Sequence, residues 1–459
     1  MYAKKNNQLK TNIMDNRRDF LKKAGAGAAA LTIGGALPGF GASSYRRIMG
    51  ANDRINVAMI GVNSRGHSLA QNFVRQTACE VAAVCDVDKR AIEKCIKTIK
   101  TVQDKTPKEE RDFRKALDNK QIDAAVIATP DHWHTPAALL SLQAGKHVYL
   151  EKPVSYCPRE GEMLVEAAAK YGKVVQIGTQ RRSWPKVIEA MQELRNGVIG
   201  KVHFGKGWYF NNRPGIGVGK VAAVPEWLDW DMWQGPAPHT VYKDNVVHYN
   251  WHWFWHWGTA ESLNNGTHMV DLLCWGMDLK YPTKVSSIGG RYYYKDDWET
   301  PDTQTISIEF GDEASIFWEG HSCNIKNVEN DGVGVMFFGD QGVLFVSSGD
   351  SYTIFDKNNK VVKAVTSDFK AEPQNPVGPG DRLDAIHILN FLDGIQKGTP
   401  LNMNVEAGHK CTLLMQLGNI SLRTGRTLDI NPANGRIVND SEAQRFWSRS
   451  YEPGWEPKV

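Results

Sequence analysis

The 459-residue chain has no segment with the length and apolarity of a membrane-spanning helix. Its seven cysteines are scattered, with no C-x-x-C pair and no zinc-finger spacing, so they read as small core hydrophobes rather than metal ligands. No basic stripe with interleaved aromatics occurs, which argues against a nucleic-acid partner. No internal repeat or long low-complexity linker is present, which excludes a repeat array. What remains, at 41% hydrophobic and 23% charged, suits a globular protein of two or three domains.

Excess charge is also absent once the N-terminus is set aside. Residues 1–43 hold seven Lys/Arg and two Asp/Glu, leaving 48 basic against 49 acidic residues, so the formal +4 says nothing about partners. In that segment Arg17-Arg18 precede Phe20-Leu21-Lys22 and a short, weakly apolar stretch from Ala24 to Leu37. The series resembles a twin-arginine export signal, which implies passage across a membrane in the folded state to the periplasm or beyond. No cysteine precedes Cys79, which argues against a lipoprotein anchor.

From residue 54 to about 177, apolar β-branched runs alternate with helical patterns. "RINVAMIG" reads as a strand before a helix from about His67, "EVAAVC" as a strand before a helix from about Lys89, and "IDAAVIAT" as a strand before a helix from about Thr135. Strands from His147 to Leu150 and in "KVVQIG" follow. This alternation predicts a doubly wound parallel sheet covered on both faces. After Gly178 the pattern changes to aromatic, Gly/Pro-rich stretches and alternating runs such as "TQTISIEF" and "VGVMFFG", with a hairpin signal at "DKNNKVV". Residues 178–459 are therefore expected to form an α/β domain with a large, mostly antiparallel open sheet, whose terminal helices can pack back on the first domain.

Gly61-Val62-Asn63-Ser64-Arg65-Gly66 matches the G-x-G-x-x-G turn except at Asn63, between a strand and a helix. Asn63 can take up positive φ more readily than most residues. Such a helix start offers free N–H groups and a positive dipole end to a pyrophosphate. Asp86 ends the next strand, 20 residues after Gly66, where a carboxylate accepts from ribose hydroxyls. The expected cofactor is NAD rather than NADP, since a 2′-phosphate would meet like charge; Lys89 and Arg90 are placed to soften that preference.

"TPDHWHTPAALLSLQAGKHVYLEKPVS", "QIGTQRRSWP", "PEWLDWDMWQGPAP" and "WGTAESLNNGTHMVDLLCWGMD" together resemble the Gfo/Idh/MocA oxidoreductases, with Glu151-Lys152-Pro153 the most specific mark. The resemblance spans about residues 54 to 455. It implies a Rossmann domain, a second domain carrying an open antiparallel sheet that often pairs subunits, and a site between them for hydride exchange at a sugar or cyclitol carbon. It implies that Thr129, Pro130 and His134 line the nicotinamide side and that Lys152 touches both cofactor and reacting hydroxyl. Many such proteins carry Asp where Asn264 stands here, four residues before His268. An amide cannot take a proton, so the general-base role falls on His268, whose ordinary pKa of about 6.5 suits it. Asp271 stands as a candidate to orient His268, and Asn264 as a hydroxyl-positioning group or a helix N-cap.

"YNWHWFWHWG" (residues 249–258) holds four tryptophans and two histidines. His248, His252 and His256 fall at i, i+4 and i+8, but Trp251, Trp253, Trp255 and Trp257 alternate, which suits extended chain. No carboxylate or cysteine completes a ligand set, so no metal site is expected. We read the stretch as a pocket wall for a carbohydrate, with Trp251, Trp255 and His252 contacting it and Arg181 or Arg182 holding the rest of the sugar. The leading functional reading is an NAD-dependent oxidoreductase on a sugar or glycoside. The alternatives are an NAD-dependent glycoside hydrolase working through a transient keto-sugar, with Tyr209 or His252 as an extra base, and a sugar-binding protein without catalysis.

Overall fold

The computed structural model describes residues 54–367 and 381–459, so the twin-arginine-like segment lies outside the described residues. Two sheets carry the architecture. The first is built from β1 (Ile55–Ile60), β2 (Cys79–Cys85), β3 (Lys108–Glu110), β4 (Ala124–Ile127), β5 (His147–Glu151) and β6 (Val175–Gly178), all parallel, in the order β3-β2-β1-β4-β5-β6. β4 and β6 are buried at every residue and β1, β2 and β5 at all but one, as a sheet covered on both faces requires.

Helices α1 (Arg65–Phe73), α2 (Lys89–Ile99), α3 (Phe113–Leu117), α4 (His134–Gln143) and α5 (Pro158–Tyr171) alternate with these strands. The register aligns their carboxyl ends: Ile60 pairs with Cys85 and Ile127, Ile127 with Leu150, and Leu150 with Ile177. The loops that follow carry Gly61, Asp86, Thr129 and Lys152, and they emerge along one edge. The order reverses between β1 and β4, where a crevice forms.

The second sheet contains β7 (Val202–Phe210), β8 (Lys284–Gly290), β9 (Thr303–Phe310), β10 (Ala314–His321), β11 (Val333–Gly339), β12 (Gly342–Val346), β13 (Tyr352–Asp356), β14 (Val361–Val365) and β15 (Leu428–Asp429). Their order is β14-β13-β12-β11-β7-β10-β9-β8-β15, antiparallel except for β7 with β10. The α/β class, with a parallel and a mostly antiparallel sheet, is that expected from the sequence. The "DKNNKVV" hairpin joins β13 to β14.

After α6 (Pro185–Arg195) and the short α7 (Trp230–Gln234) comes α8 (Thr267–Met277), which lies on the inner face of the second sheet. Gly205 and Gly207 of β7 set its depth. A Cβ on Gly205 would meet Leu273 at 2.8 Å, and one on Gly207 would meet Met269 at 2.8 Å. Tyr209 continues the same face of β7, because alternate strand residues share a face. The glycines thus seat α8 close against β7, and His268 at the start of the helix and Tyr209 near the end of the strand line one cleft. α9 (Asp381–Lys397) packs on α1, and its Ile388, Phe391 and Leu392 join the core of β1, β2 and β4. α10 (Val405–Thr424) covers β8 and β9 and contacts α5 and α8.

The tryptophan stretch is not a strand. Residues Asn250–Trp253 form a 3-10 turn and the chain turns again before Gly258. The reason is packing. Trp253 stacks on Trp298 at 4.0 Å, and Trp257 packs against Trp230 and Trp233, so both must reach one aromatic core. Alternating tryptophans in an extended chain would leave no such turn.

Candidate active site

A cleft of about 550 Å³ runs from the glycine turn of the first domain to the inner edge of the second sheet. At one end stand Gly61, Asn63, Ser64, Arg65 and Asp86; Thr129, Pro130, His134, Glu151 and Lys152 follow; Tyr209, Arg213, Trp251, His252, Asn264 and His268 close the other.

The dinucleotide end is shaped by backbone geometry. Gly61 has φ +78°, and a Cβ there would meet Ala128 O at 2.8 Å. Gly66 does not line the cleft; a Cβ on it would collide with the Gly61 carbonyl oxygen, so it serves the close packing of turn on helix. Gly66→Ala should therefore cost about 1–3 kcal/mol of stability and weaken dinucleotide binding together, measured by thermal melting and by fluorescence titration with NAD. Ser64 at the N-cap of α1 makes no side-chain cap bond, and Thr129 Oγ1 is buried without a hydrogen-bond partner. Unclaimed donors at a helix start, with an orphaned hydroxyl facing the cleft, fit a bound pyrophosphate and nicotinamide.

Asp86 accepts from the amides of Val62 (2.6 Å) and Asp88 (2.9 Å), which fixes its carboxylate at the cleft. The two cations expected to soften its field are turned away. Arg90 is bound to Asp88 and lies 3.4 Å over the Trp227 ring, and Lys89 pairs on the surface with Glu93. Like charges brought together cost on the order of several kcal/mol, and each ~1.4 kcal/mol is tenfold in affinity. Asp86→Ala should thus narrow the ratio of NAD to NADP affinity by about tenfold or more; titration of both dinucleotides checks this, and equal affinities in the parent protein would defeat the assignment.

Arg65 lines the cleft but its guanidinium is spent. It binds Glu151 (2.9 Å) and, bidentately, Asp384 of α9 (2.7 and 2.8 Å), tying three elements together. His134 links two loops, with Nδ1 2.6 Å from Pro153 O and Nε2 2.9 Å from Thr129 O. His132 lies outside the cleft lining, its Nε2 bonded to Trp233 O at 2.9 Å.

At the other end, Lys152 Nζ donates to the carbonyl oxygen of Asn264 and to its Oδ1 at 3.1 Å. Burial lowers the lysine pKa, opposed by Glu151, Asp131 and Glu261. Asn264 is no N-cap. It sits inside a continuous helical stretch, in a π turn over Ser262–Gly266 that runs into α8, a distortion common at functional sites.

His268 is 5% exposed, and its Nδ1 is buried without a partner, which leaves Nε2 for the cleft. Burial first, then Lys152, Arg181 and Arg65, pushes its pKa well below the ordinary value, so the ring is neutral. Asp271 does not orient it. That carboxylate is gripped by Arg182 (2.7, 3.0 and 3.1 Å) and receives the Cys411 thiol.

Three expected substrate contacts are placed elsewhere. Arg182 is taken up by Asp271 inside the second domain. Arg181 is 1% exposed, donates to Ser347 O and faces Met269 Sδ; burial lowers its pKa to about 10. Neither lines the cleft. Trp255 also lies outside the lining, half-buried under Arg423, its amide bonded to Glu299. Trp251 and His252 do line the cleft, stacked on one another at 3.6 Å, and His252 Nδ1 sits 2.6 Å from Tyr249 O. The three histidines of the i, i+4, i+8 series do not converge: His248 bonds Asp88 (2.7 Å) and His256 bonds Pro238 O (2.7 Å).

Sequence reasoning missed Glu261 and Arg213. They form a buried ion pair under the wall, with Arg213 Nη1 bonding Tyr249 OH (2.8 Å) and Nη2 bonding Tyr209 OH (3.2 Å). Strand β7 ends just before Arg213 and the π turn begins just after Glu261, so topology, not local pattern, joins them.

The geometry has counterparts. In solved structures, levoglucosan dehydrogenase with NADH and levoglucosan aligns with TM-score 0.63 at 17% identity, covering 82% of this chain and 99% of that one. An aldose-aldose oxidoreductase from Caulobacter crescentus aligns with TM-score 0.62 at 15% identity, covering 82% and 100%. At such identities the likeness establishes the fold alone. By sequence, glycosyl hydrolase family 109 proteins are similar: one from Saccharopolyspora erythraea is 28% identical over 253 residues (50% of this chain, 55% of that protein), and one from Shewanella pealeana is 27% identical over 210 (43% and 46%). The chain thus spans about half the length of these curated relatives. Residues 55–179 match the profile of an oxidoreductase family with an NAD-binding Rossmann fold, and residues 195–457 match that family's C-terminal α/β domain. The protein belongs to the Gfo/Idh/MocA oxidoreductase family.

Proposed function

We propose that the protein oxidises a secondary hydroxyl of an uncharged sugar or glycoside, with NAD held in the cleft. The observation that carries this reading is that Lys152, Asn264 and His268 line the same cleft as the glycine turn and Asp86. Bound NAD supplies reversible hydride acceptance from the hydroxyl-bearing carbon. Lys152 binds the hydroxyl oxygen and stabilises the negative charge that develops on it. His268, neutral at its buried position, takes the hydroxyl proton at Nε2. Trp251 offers a flat apolar face, backed by His252, to the C–H surface of a ring.

The charge balance argues for an uncharged substrate. Among the described residues, Arg213 at this end is neutralised by Glu261, Arg65 at the dinucleotide end by Glu151 and Asp384, and Arg181 and Arg182 are withdrawn, so Lys152 is the one cation left to meet a substrate here. A uronate or sugar phosphate finds no free guanidinium there.

Net hydrolysis through a transient keto-sugar is the second reading, supported by the similarity to glycosyl hydrolase family 109 proteins. It needs a further base. Burial pushes the Tyr209 phenol up, which makes it a proton donor. His252 is the remaining candidate because its ring faces the cleft; burial draws it down to about 3, so it is unprotonated but weakly basic and would need substrate binding to raise it. We also propose export through the segment at residues 1–43 with NAD already bound, and self-association through the open face of the second sheet; cell fractionation and sedimentation test these. Incubation with a panel of neutral glycosides, with products identified by mass, tests the activity: a keto product supports oxidation, a released aglycone supports hydrolysis, and neither product defeats both.

A further inference from the structure

We propose that Glu261 is the positioning residue of the reacting centre: it fixes the Asn264 side chain so that Lys152 is held between two oxygens, and it anchors Arg213 and Tyr209 in the cleft wall. The inference rests on the activity proposed above, but its primary test does not require turnover.

Glu261 is 3% exposed, and its acceptors are claimed from four directions. Oε2 receives Arg213 Nε and, at 3.5 Å, Ser322 Oγ; Oε1 receives Arg213 Nη2 at 3.1 Å, Asn264 Nδ2 at 3.4 Å and Asn265 Nδ2. A buried carboxylate is stable only with such pairing. The consequence for Asn264 is directional. A carboxylate accepts and cannot donate, so it draws the amide nitrogen toward itself. That turns Oδ1 toward Lys152 Nζ, which already binds the Asn264 carbonyl oxygen. The ammonium is thus held between two acceptors of one residue, and that residue is held by Glu261. Without Glu261 the amide is free to flip, presenting N–H groups to a cation.

The same carboxylate stands in the field of Lys152, with Glu151 and Asp131 also favouring its charged form, Arg65 opposing it, and His268 and His252 facing it as neutral rings. On the wall, Arg213 bonds the phenols of Tyr209 and Tyr249, so the ion pair also sets the shape a sugar would meet.

The test reads Lys152 directly. The full-length protein, at matched bound dinucleotide, is pulsed with acetic anhydride across a pH series, and acetylation of the Lys152 peptide is quantified by mass spectrometry. In Glu261→Gln, the loss of the negative charge should favour the unprotonated amine, and the new amide can present N–H as well as C=O to Asn264, so the orientation is no longer enforced. Lys152 should react several-fold faster at a given pH below its pKa, because a larger share of it is then the free amine. Glu261→Gln leaves Arg213 buried and unpaired, so Glu261→Gln/Arg213→Met is made in parallel as the variant with neither charge. Faster Lys152 acetylation in both variants supports the assignment. A wild-type profile in the double variant, whether or not the single variant folds, would overturn it, because any effect would then belong to the unpaired arginine. Failure to find any glycoside turnover would defeat the activity proposed above and leave this readout intact.

Discussion

Lys152→Met should lower kcat by about 10²- to 10³-fold, the usual loss when one donor to a developing oxyanion is removed, with the fold kept and the nicotinamide end of the cofactor loosened. The expectation follows from what competes for each cation in the cleft. Arg65 and Arg213 are bound to carboxylates, and Arg111 lies at the other end, bonded to Val87 O. Among the described residues, Lys152 has only the neutral oxygens of Asn264 within hydrogen-bonding distance, so it can turn to a substrate oxygen without breaking an ion pair there. Methionine keeps the length and apolar body of the side chain. Steady-state kinetics on a glycoside that is turned over, alongside an NAD titration, checks the claim. Undiminished kcat would remove Lys152 from the chemistry.

His268→Ala should cost about 10²- to 10⁴-fold in kcat, the range for a lost general base, with NAD still bound from the other domain. The pH dependence sharpens this. Burial and the nearby cations Lys152, Arg181 and Arg65 disfavour the imidazolium, so the folded pKa lies well below the ordinary His value. His268 therefore stays competent as pH falls through 6.5, and the acid limb of kcat, where His268 protonates, lies well to the acid side of that point. Removing the Lys152 charge favours the imidazolium. In Lys152→Met, the acid limb of the residual activity should move to higher pH. An acid limb that stays in place would mean another group sets it, with His252 the first to examine. Asn264→Asp probes the same centre: a carboxylate beside Glu261 should repel it, tighten the contact with Lys152 and shift the pH profile.

The parallel sheet was legible because buried strands demand unbroken β-branched runs, and its turns and Asp86 sit at spacings fixed by the β-α-β unit. Lys152, Asn264 and His268 were legible through the resemblance of the motifs around them, and the cleft brings these three together. Arg181 and Arg182 were misread for one reason. As a pair after a strand they look like free cations, yet their partners Ser347 and Asp271 lie 166 and 89 residues away. Glu261 was invisible on the same ground, its partner Arg213 standing 48 residues earlier in the chain. The alternating tryptophans suggested a strand because alternation encodes two faces only when the chain is extended. Here Trp253 and Trp257 are both core residues, four apart, and a turn serves them. Local pattern reports periodicity, whereas charge pairing across elements is decided by topology.

The most direct test of the cleft as an NAD-dependent hydroxyl-oxidising site is a single turnover. The protein loaded with NAD is mixed with a neutral glycoside, and the near-ultraviolet absorbance of reduced nicotinamide is followed in time. The expected result is a rise in that absorbance, transient if the sugar is reduced again and lasting if a keto product leaves, with its rate strongly reduced in Lys152→Met and His268→Ala. Product formation with no reduced nicotinamide at any time, or a rise of the same rate in both variants, would contradict it.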